Sequence, residues 1–324
     1  MSNFKKISKN IQKLTVANPR TNLAVDWLNI NNAGKEEIEY LRKNYNFKLP
    51  HLRAASAKAN SQRPLVVHED DYMFMILHFP VPSCDQTNGV TSVEIEFFIG
   101  HGWLVTLPSA PLEPLDNFFN LCKKDGGSLL SYELESSAIL LYEILNKLLE
   151  YSYKILDSSS LAIARAEQTV LGTDSKKSAN QIIALRHNLI NFRKIMQNHK
   201  SILKRLMAME SQVVPSDHIK KYYGELVDQT KNIWETMENQ REMVEVLFNS
   251  YQSLADYQLG STMKKLTIFY VTFSSLSLVA AIFSLKVETG MPFLNYQNGF
   301  WLVLAIMGIV GLFMLLLFKR NRWM

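Results

Sequence analysis

Two uncharged runs near the C-terminal end limit what this chain can fold into. Leu266 to Leu285 is twenty residues without a charge, and Phe300 to Phe318 is nineteen. At about 1.5 Å rise per residue, a helix of either length covers roughly the 30 Å hydrocarbon thickness of a bilayer. Between 266 and 318 the only charged side chains are Lys286 and Glu288, both in the short connector. Buried helices of a soluble core rarely close a chain as an uncharged pair, so the reading is two membrane spans.

The flanking charges set the expected topology. Lys264 and Lys265 precede the first span, and Lys319, Arg320 and Arg322 follow the second. By the positive-inside rule this is a multi-pass protein of the cell (inner) membrane with both termini cytoplasmic and only the connector outside. The opening MSNFKKISKN lacks the apolar core of a signal peptide, which fits insertion through the late spans. Cys84 and Cys122 form no CxxC pair, so neither a disulfide framework nor a thiolate metal cage is indicated. The net charge of +5 comes without a basic run interleaved with aromatics, which argues against a nucleic-acid partner. A phosphate-binding glycine loop and a catalytic constellation are both missing, so the chain reads as no enzyme and calls for no cofactor.

The remainder divides by pattern. Runs at 21–30, 64–70, 72–79, 90–99 and 102–107 are β-branched and aromatic and read as strands, while 35–46 and 49–59 read as helices. From about Leu112 the pattern turns helical. One helix covers most of 131–171, with Leu140, Ile144, Leu148, Tyr151 and Ile155 on one stripe. A second is expected over about 174–210, and a third from near Ser216 through Gly260 into the first span. The expected fold is α+β with a membrane part: an α/β cytoplasmic domain (1–130), stalk helices (131–265), a first transmembrane helix (266–285), a loop (286–299), a second transmembrane helix (300–318) and a basic tail (319–324). A stalk helix of some 70 residues cannot bury its apolar face alone, so it needs its own hairpin or copies of itself. A dimeric coiled-coil sensor with a membrane anchor is the plainer alternative.

Several segments together resemble the CorA family of divalent-cation transporters. HEDDYMFMILHFPV (68–81) is similar to the family's "DYLF" strand, and VEIEFFIGHGWLVTLPSAPLEPLDNFF (93–119) to its strand, turn, strand and helix. AILLYEILNKLLEYSYKIL (138–156) resembles the start of the stalk helices, MKKLTIFYVTFSSLSLVAAIF (263–283) the first membrane helix, and FKRNRWM (318–324) the basic tail. The resemblance implies a homopentamer whose pore is lined by the first membrane helix of each subunit and passes Mg2+, with Co2+ or Ni2+ as surrogates. A zinc-transporting branch shares the fold. The partners implied are further copies of the chain, membrane lipid and the metal ion, which is substrate and, across subunit contacts, a possible regulator.

The family closes its first span with Gly-Met-Asn. Two registers are open here. Putting that triplet on Gly290-Met291-Pro292 requires about six inserted residues. Putting Met291-Pro292 on the family's later Met-Pro requires one, and also aligns Val287-Glu288 with Phe-Glu. The second register is preferred, and it leaves Ser284, Leu285 and Lys286 at the selectivity position. In that register Met263, Leu266, Tyr270, Ser274, Ser277, Ala281 and Ser284 share one helix face at steps of three and four. Its upper half is hydroxyl and small, suited to a wet pore, and its lower half is apolar, suited to a gate that closes by dewetting. The alternative is that the serines only back-bond to their own helix.

Lys286 is the sharpest departure. At about 6 Å a divalent ion would meet roughly 1 to 5 kcal/mol of repulsion per lysine. The lysine can snorkel outward, pair with Glu288, or mark a pore that no longer carries Mg2+: one of altered selectivity (including for anions) or a non-conducting scaffold. Residues 131–210 carry eight acidic against eleven basic side chains, net +3, where the family is often acidic. The family's pore-helix aspartate corresponds to Asn249. Glu69, Asp70 and Asp71 are the candidate divalent ligands at a subunit contact, although such a run is more often a solvated strand end.

Overall fold

The computed structural model describes residues 3–17, 24–56, 62–83, 89–124, 136–170, 175–208, 217–285 and 298–321. It separates into two compact units, Met1–Phe248 and Asn249–Met324.

In the first unit, seven strands form one sheet: β1 (Asn3–Lys6), β2 (Ile11–Ala17), β3 (Ala24–Ile30), β4 (Leu65–His68), β5 (Tyr72–Pro82), β6 (Val90–Gly100) and β7 (Trp103–Pro108). Their order is β1-β2-β3-β7-β6-β5-β4, and every pairing is antiparallel except β3 with β7. Both sheet faces are covered, so the central strands are apolar on both sides rather than alternating. On one face Leu28, Phe74, Phe98 and Val105 pack with Leu41 of α1 (Lys35–Tyr45), Phe47 of the connector and Leu52 of α2 (Leu49–Ser56). On the other, Trp27 meets Phe119 of α3 (Glu113–Lys124) edge-on at 4.9 Å. The Trp27 indole N–H donates to Thr106 Oγ1 at 3.1 Å, and that hydroxyl donates to Asn29 Oδ1 at 3.0 Å, so the buried polar atoms are matched.

Three long helices form a bundle: α4 (Ser137–Val170), α5 (Ser175–Met196) and the first part of α7 (Asp217–Phe283). Tyr223 Oη donates to Ala138 O at 2.7 Å, and Gln240 Nε2 to Leu156 O at 2.9 Å, so α4 and α7 run parallel. Arg186 lies 3.6 Å from Glu245 and Arg193 lies 3.5 Å from Glu238, which sets α5 antiparallel to α7.

Two expectations change. The single helix over 174–210 is two, α5 and α6 (His199–Ala208). The break falls at Gln197-Asn198, where the Asn198 carbonyl accepts the Ile202 N–H at 3.0 Å and the Ser201 hydroxyl at 2.8 Å. There the helix restarts, and His199 buries against Phe79 at 5.1 Å. The β1–β2 hairpin adds two strands that the pattern does not reveal, because Ile11 and the pair Leu14 and Val16 are buried in different parity.

In the second unit, the last part of α7 and α8 (Gly299–Arg320) form a hairpin, and both helices are long and apolar enough to cross a membrane. A Cβ at Gly311 would stand 3.8 Å from Leu276 Cδ2, and Leu315 lies across a groove of about 620 Å³ from Ile268 and Thr272, so the two helices run antiparallel. Lys264 and Lys265 therefore stand at the same end of the hairpin as Lys319 and Arg320.

Candidate functional site: a hydroxyl-bearing stripe on the membrane helix

The face of α7 that packs towards α8 carries Ile268, Thr272, Ser275, Leu276, Val279 and Phe283, all buried or half-buried. With 3.6 residues per turn, the predicted pore stripe lies roughly 170° away on the other side of the helix. Every member of that stripe is exposed: Met263, Leu266, Tyr270, Ser274, Ser277, Ala281 and Ser284. Tyr270 is 73 % exposed. The stripe thus faces away from the chain's own second span.

The hydroxyls divide in the same way. Thr272 Oγ1 donates to Ile268 O at 2.7 Å and Ser275 Oγ to Val271 O at 2.8 Å, both on or beside the α8 face. Among the described residues, the hydroxyls of Ser274 and Ser277 make no such bond to the helix. Back-bonding therefore accounts for the off-stripe hydroxyls and leaves those on the stripe available to water or a hydrated ion.

α7 ends at Phe283; the Ser284 N–H bonds to Ala280 O at 3.0 Å and the Leu285 N–H to Ile282 O at 3.3 Å. Ser284 and Leu285 thus cap the stripe in a tightened last turn, both exposed. Lys286, Glu288, Met291 and Pro292 lie outside the described residues, and the choice between the two loop registers lies there with them.

Continued below Met263 at the same steps, the stripe runs through Leu259, Asp256, Gln252 and Asn249, all exposed. Asn249 falls on it. Asp256 was not foreseen: it stands seven residues, or two turns, closer to the membrane than Asn249, and among the described residues of this unit it is the only carboxylate. The three-and-four spacing alone would have found it.

The acidic run behaves differently. In the turn between β4 and β5, Glu69 is held by the Lys48 ammonium and lies 3.8 Å from His51 Nε2. Asp70 and Asp71 are exposed. Among the described residues of one subunit, no three His, Cys, Asp or Glu side chains come together as a metal site.

A mixed sheet sandwiched by helices, a three-helix stalk and a terminal membrane hairpin with one hydroxyl-bearing face outward define a two-span membrane protein with a large soluble part. Residues 22–320 match the model of the CorA-like Mg2+ transporter protein family, and the chain belongs to that family. It is similar to the cobalt/magnesium transport protein CorA of Thermotoga maritima, 28 % identical over 190 residues, which is 57 % of this chain and 52 %, about half, of that protein. It is also similar to the putative metal ion transporter YfjQ of Bacillus subtilis, 24 % identical over 92 % of this chain and 90 % of that protein. The complete structure of the CorA magnesium transporter from Methanocaldococcus jannaschii has the same fold, with a TM-score of 0.81, 21 % identity, and 93 % and 92 % of the two chains covered.

Proposed function

We propose that the chain assembles as a homopentamer in the cell (inner) membrane, termini cytoplasmic, and passes divalent cations passively, Mg2+ foremost, along an axis lined by the exposed stripe of α7. Membership of a Mg2+ transporter family supports this reading over the scaffold and anion-pore alternatives, as do relatives named for cobalt and magnesium transport. The observation that carries it is the stripe itself: exposed among the described residues, opposite the α8 face, and bearing Ser274 and Ser277, which do not back-bond.

In this reading each part has a role. The Ser274 and Ser277 hydroxyls donate to and accept from the water shell of an ion, so a hydrated cation crosses without losing its shell. Met263 and Leu266 supply an apolar ring that dries when narrow. Asp256 supplies a ring of carboxylates below that constriction, raising the local concentration of a hard dication. The divalent ion is substrate, and no other group is required. Ser284, Leu285 and Lys286 stand for the outer mouth in this reading, with the backbone carbonyls of the last turn of α7 offered to the ion.

Uptake of Mg2+ or Co2+ into proteoliposomes holding the full chain tests this. The expected result is flux down the imposed gradient with no nucleotide added. Absence of flux for Mg2+, Co2+, Ni2+ and Zn2+ under every gradient would refute it.

A further inference from the structure

The first unit holds a second polar feature, remote from the stripe. A cavity of about 570 Å³ opens where the segment before β4, the β5–β6 hairpin and the α5–α6 junction meet. Arg63 comes from the first, His78, Thr91 and Ser92 from the second, and Lys194 and Asn198 from the third. Among the described residues, no carboxylate lines it. Glu94 lies behind the floor, but it is already engaged by His78 Nε2 at 3.0 Å and by the Gln62 N–H at 3.4 Å.

The two cations are the informative part. Their neighbours on α5, Arg186 and Arg193, each face a carboxylate of α7. Arg63 and Lys194 form no ion pair among the described residues; both are exposed, and they stand on the wall of the same cavity. Asn198 sits there too, immediately before the ten-residue helix α6, whose positive end adds to the field. We propose that this cavity binds a small phosphate-bearing anion of up to nucleotide size.

The chemistry favours phosphate over a monatomic ion. A guanidinium fork and an ammonium match several oxygens at once. Hydroxyl and amide donors supply the rest, and the volume lies within the range of small-molecule sites. Placed at the α5–α6 break, an occupant would tie the sheet to the helix junction, a route by which a phosphorylated metabolite bears on the stalk. The site does not depend on the pore reading.

Titration calorimetry on the full chain in detergent, with inorganic phosphate and separately with ATP in the presence of a chelator, tests the proposal. The expected result is one saturable site per chain for ATP, weakened at least about tenfold by Lys194→Ala and by Arg63→Ala and by added salt. Ser92→Glu, which brings a carboxylate into the cavity, should weaken binding as strongly, with all three variants melting within a few degrees of the unaltered chain. Saturation by phosphate as well marks an oxyanion subsite within the same cavity. No saturable binding of either probe would overturn the proposal, and so would equal affinity in all three variants.

Discussion

At Glu96 the sheet holds a carboxyl that is 4 % exposed, next to Glu94 at 3 %. Burial, and then the hydrogen bond and charge of Glu94, push its pKa to about 9 from the ordinary 4.5. Between those values the folded chain binds the extra proton, so this group's stability contribution is complete below about pH 4.5 and is lost as pH rises to about 9. His199 acts in the opposite sense. Burial, and then repulsion from His78, hold its pKa at about 4 instead of 6.5, so stability is lost as pH falls through that window. Together these two groups should make thermal melts of the full chain highest between about pH 4.5 and 6.5, with a decline on either side. Glu96→Gln should flatten the alkaline side alone and His199→Phe the acid side alone; an alkaline slope unchanged in Glu96→Gln would contradict the assignment. The residue scale also carries Asp256: Asp256→Asn should lower divalent uptake several-fold, most visibly at low external concentration, while leaving the melting temperature unchanged.

At the scale of elements, α7 does two kinds of work. Within the first unit its Tyr223, Leu226, Ile233, Met237 and Val244 are buried in the bundle. Gln240 is 4 % exposed and donates to Leu156 O and Ser160 Oγ, so Gln240→Ala should cost about 1–2 kcal/mol through the loss of these two interhelical hydrogen bonds, measurable by denaturant unfolding. Within the membrane unit, Met263→Ser with Leu266→Ser should wet the constriction and raise resting flux, read in the same liposome assay. The long helices, both spans and five of the seven strands were legible in the sequence, because long uncharged runs and apolar stripes survive any tertiary context. The α5–α6 break was not, since Gln197, Asn198 and His199 carry no proline or glycine and the break depends on a tertiary contact with Phe79. Nor was β1–β2, whose burial depends on pairing with β3 rather than on alternation of its own. Of the site, the stripe could be read at helical spacing. Asp256 shares that spacing, but a single carboxylate in the polar stretch 251–260 carries no signal of its own.

At the scale of the whole molecule, the exposed apolar side chains say what is missing from one copy. Leu254, Tyr257 and Leu259 are 39 %, 77 % and 61 % exposed just before the span, and no residue of α8 is buried. Among the described residues a single chain leaves these faces uncovered, and the proposed closed ring of copies, with lipid outside, would cover them. Native mass spectrometry should accordingly find five times the chain mass, and Tyr257→Glu should shift that population towards smaller species. The central claim, that the serine stripe of α7 lines a path for divalent ions, is tested most directly by Mg2+ uptake into proteoliposomes containing the unaltered chain, Ser277→Leu or Ser275→Ala. The account predicts uptake by the unaltered chain, a loss of at least about tenfold in Ser277→Leu, which turns a wet ring apolar, and near-normal uptake in Ser275→Ala, whose hydroxyl only back-bonds. Equal uptake by all three, or uptake lost in Ser275→Ala and kept in Ser277→Leu, would contradict it.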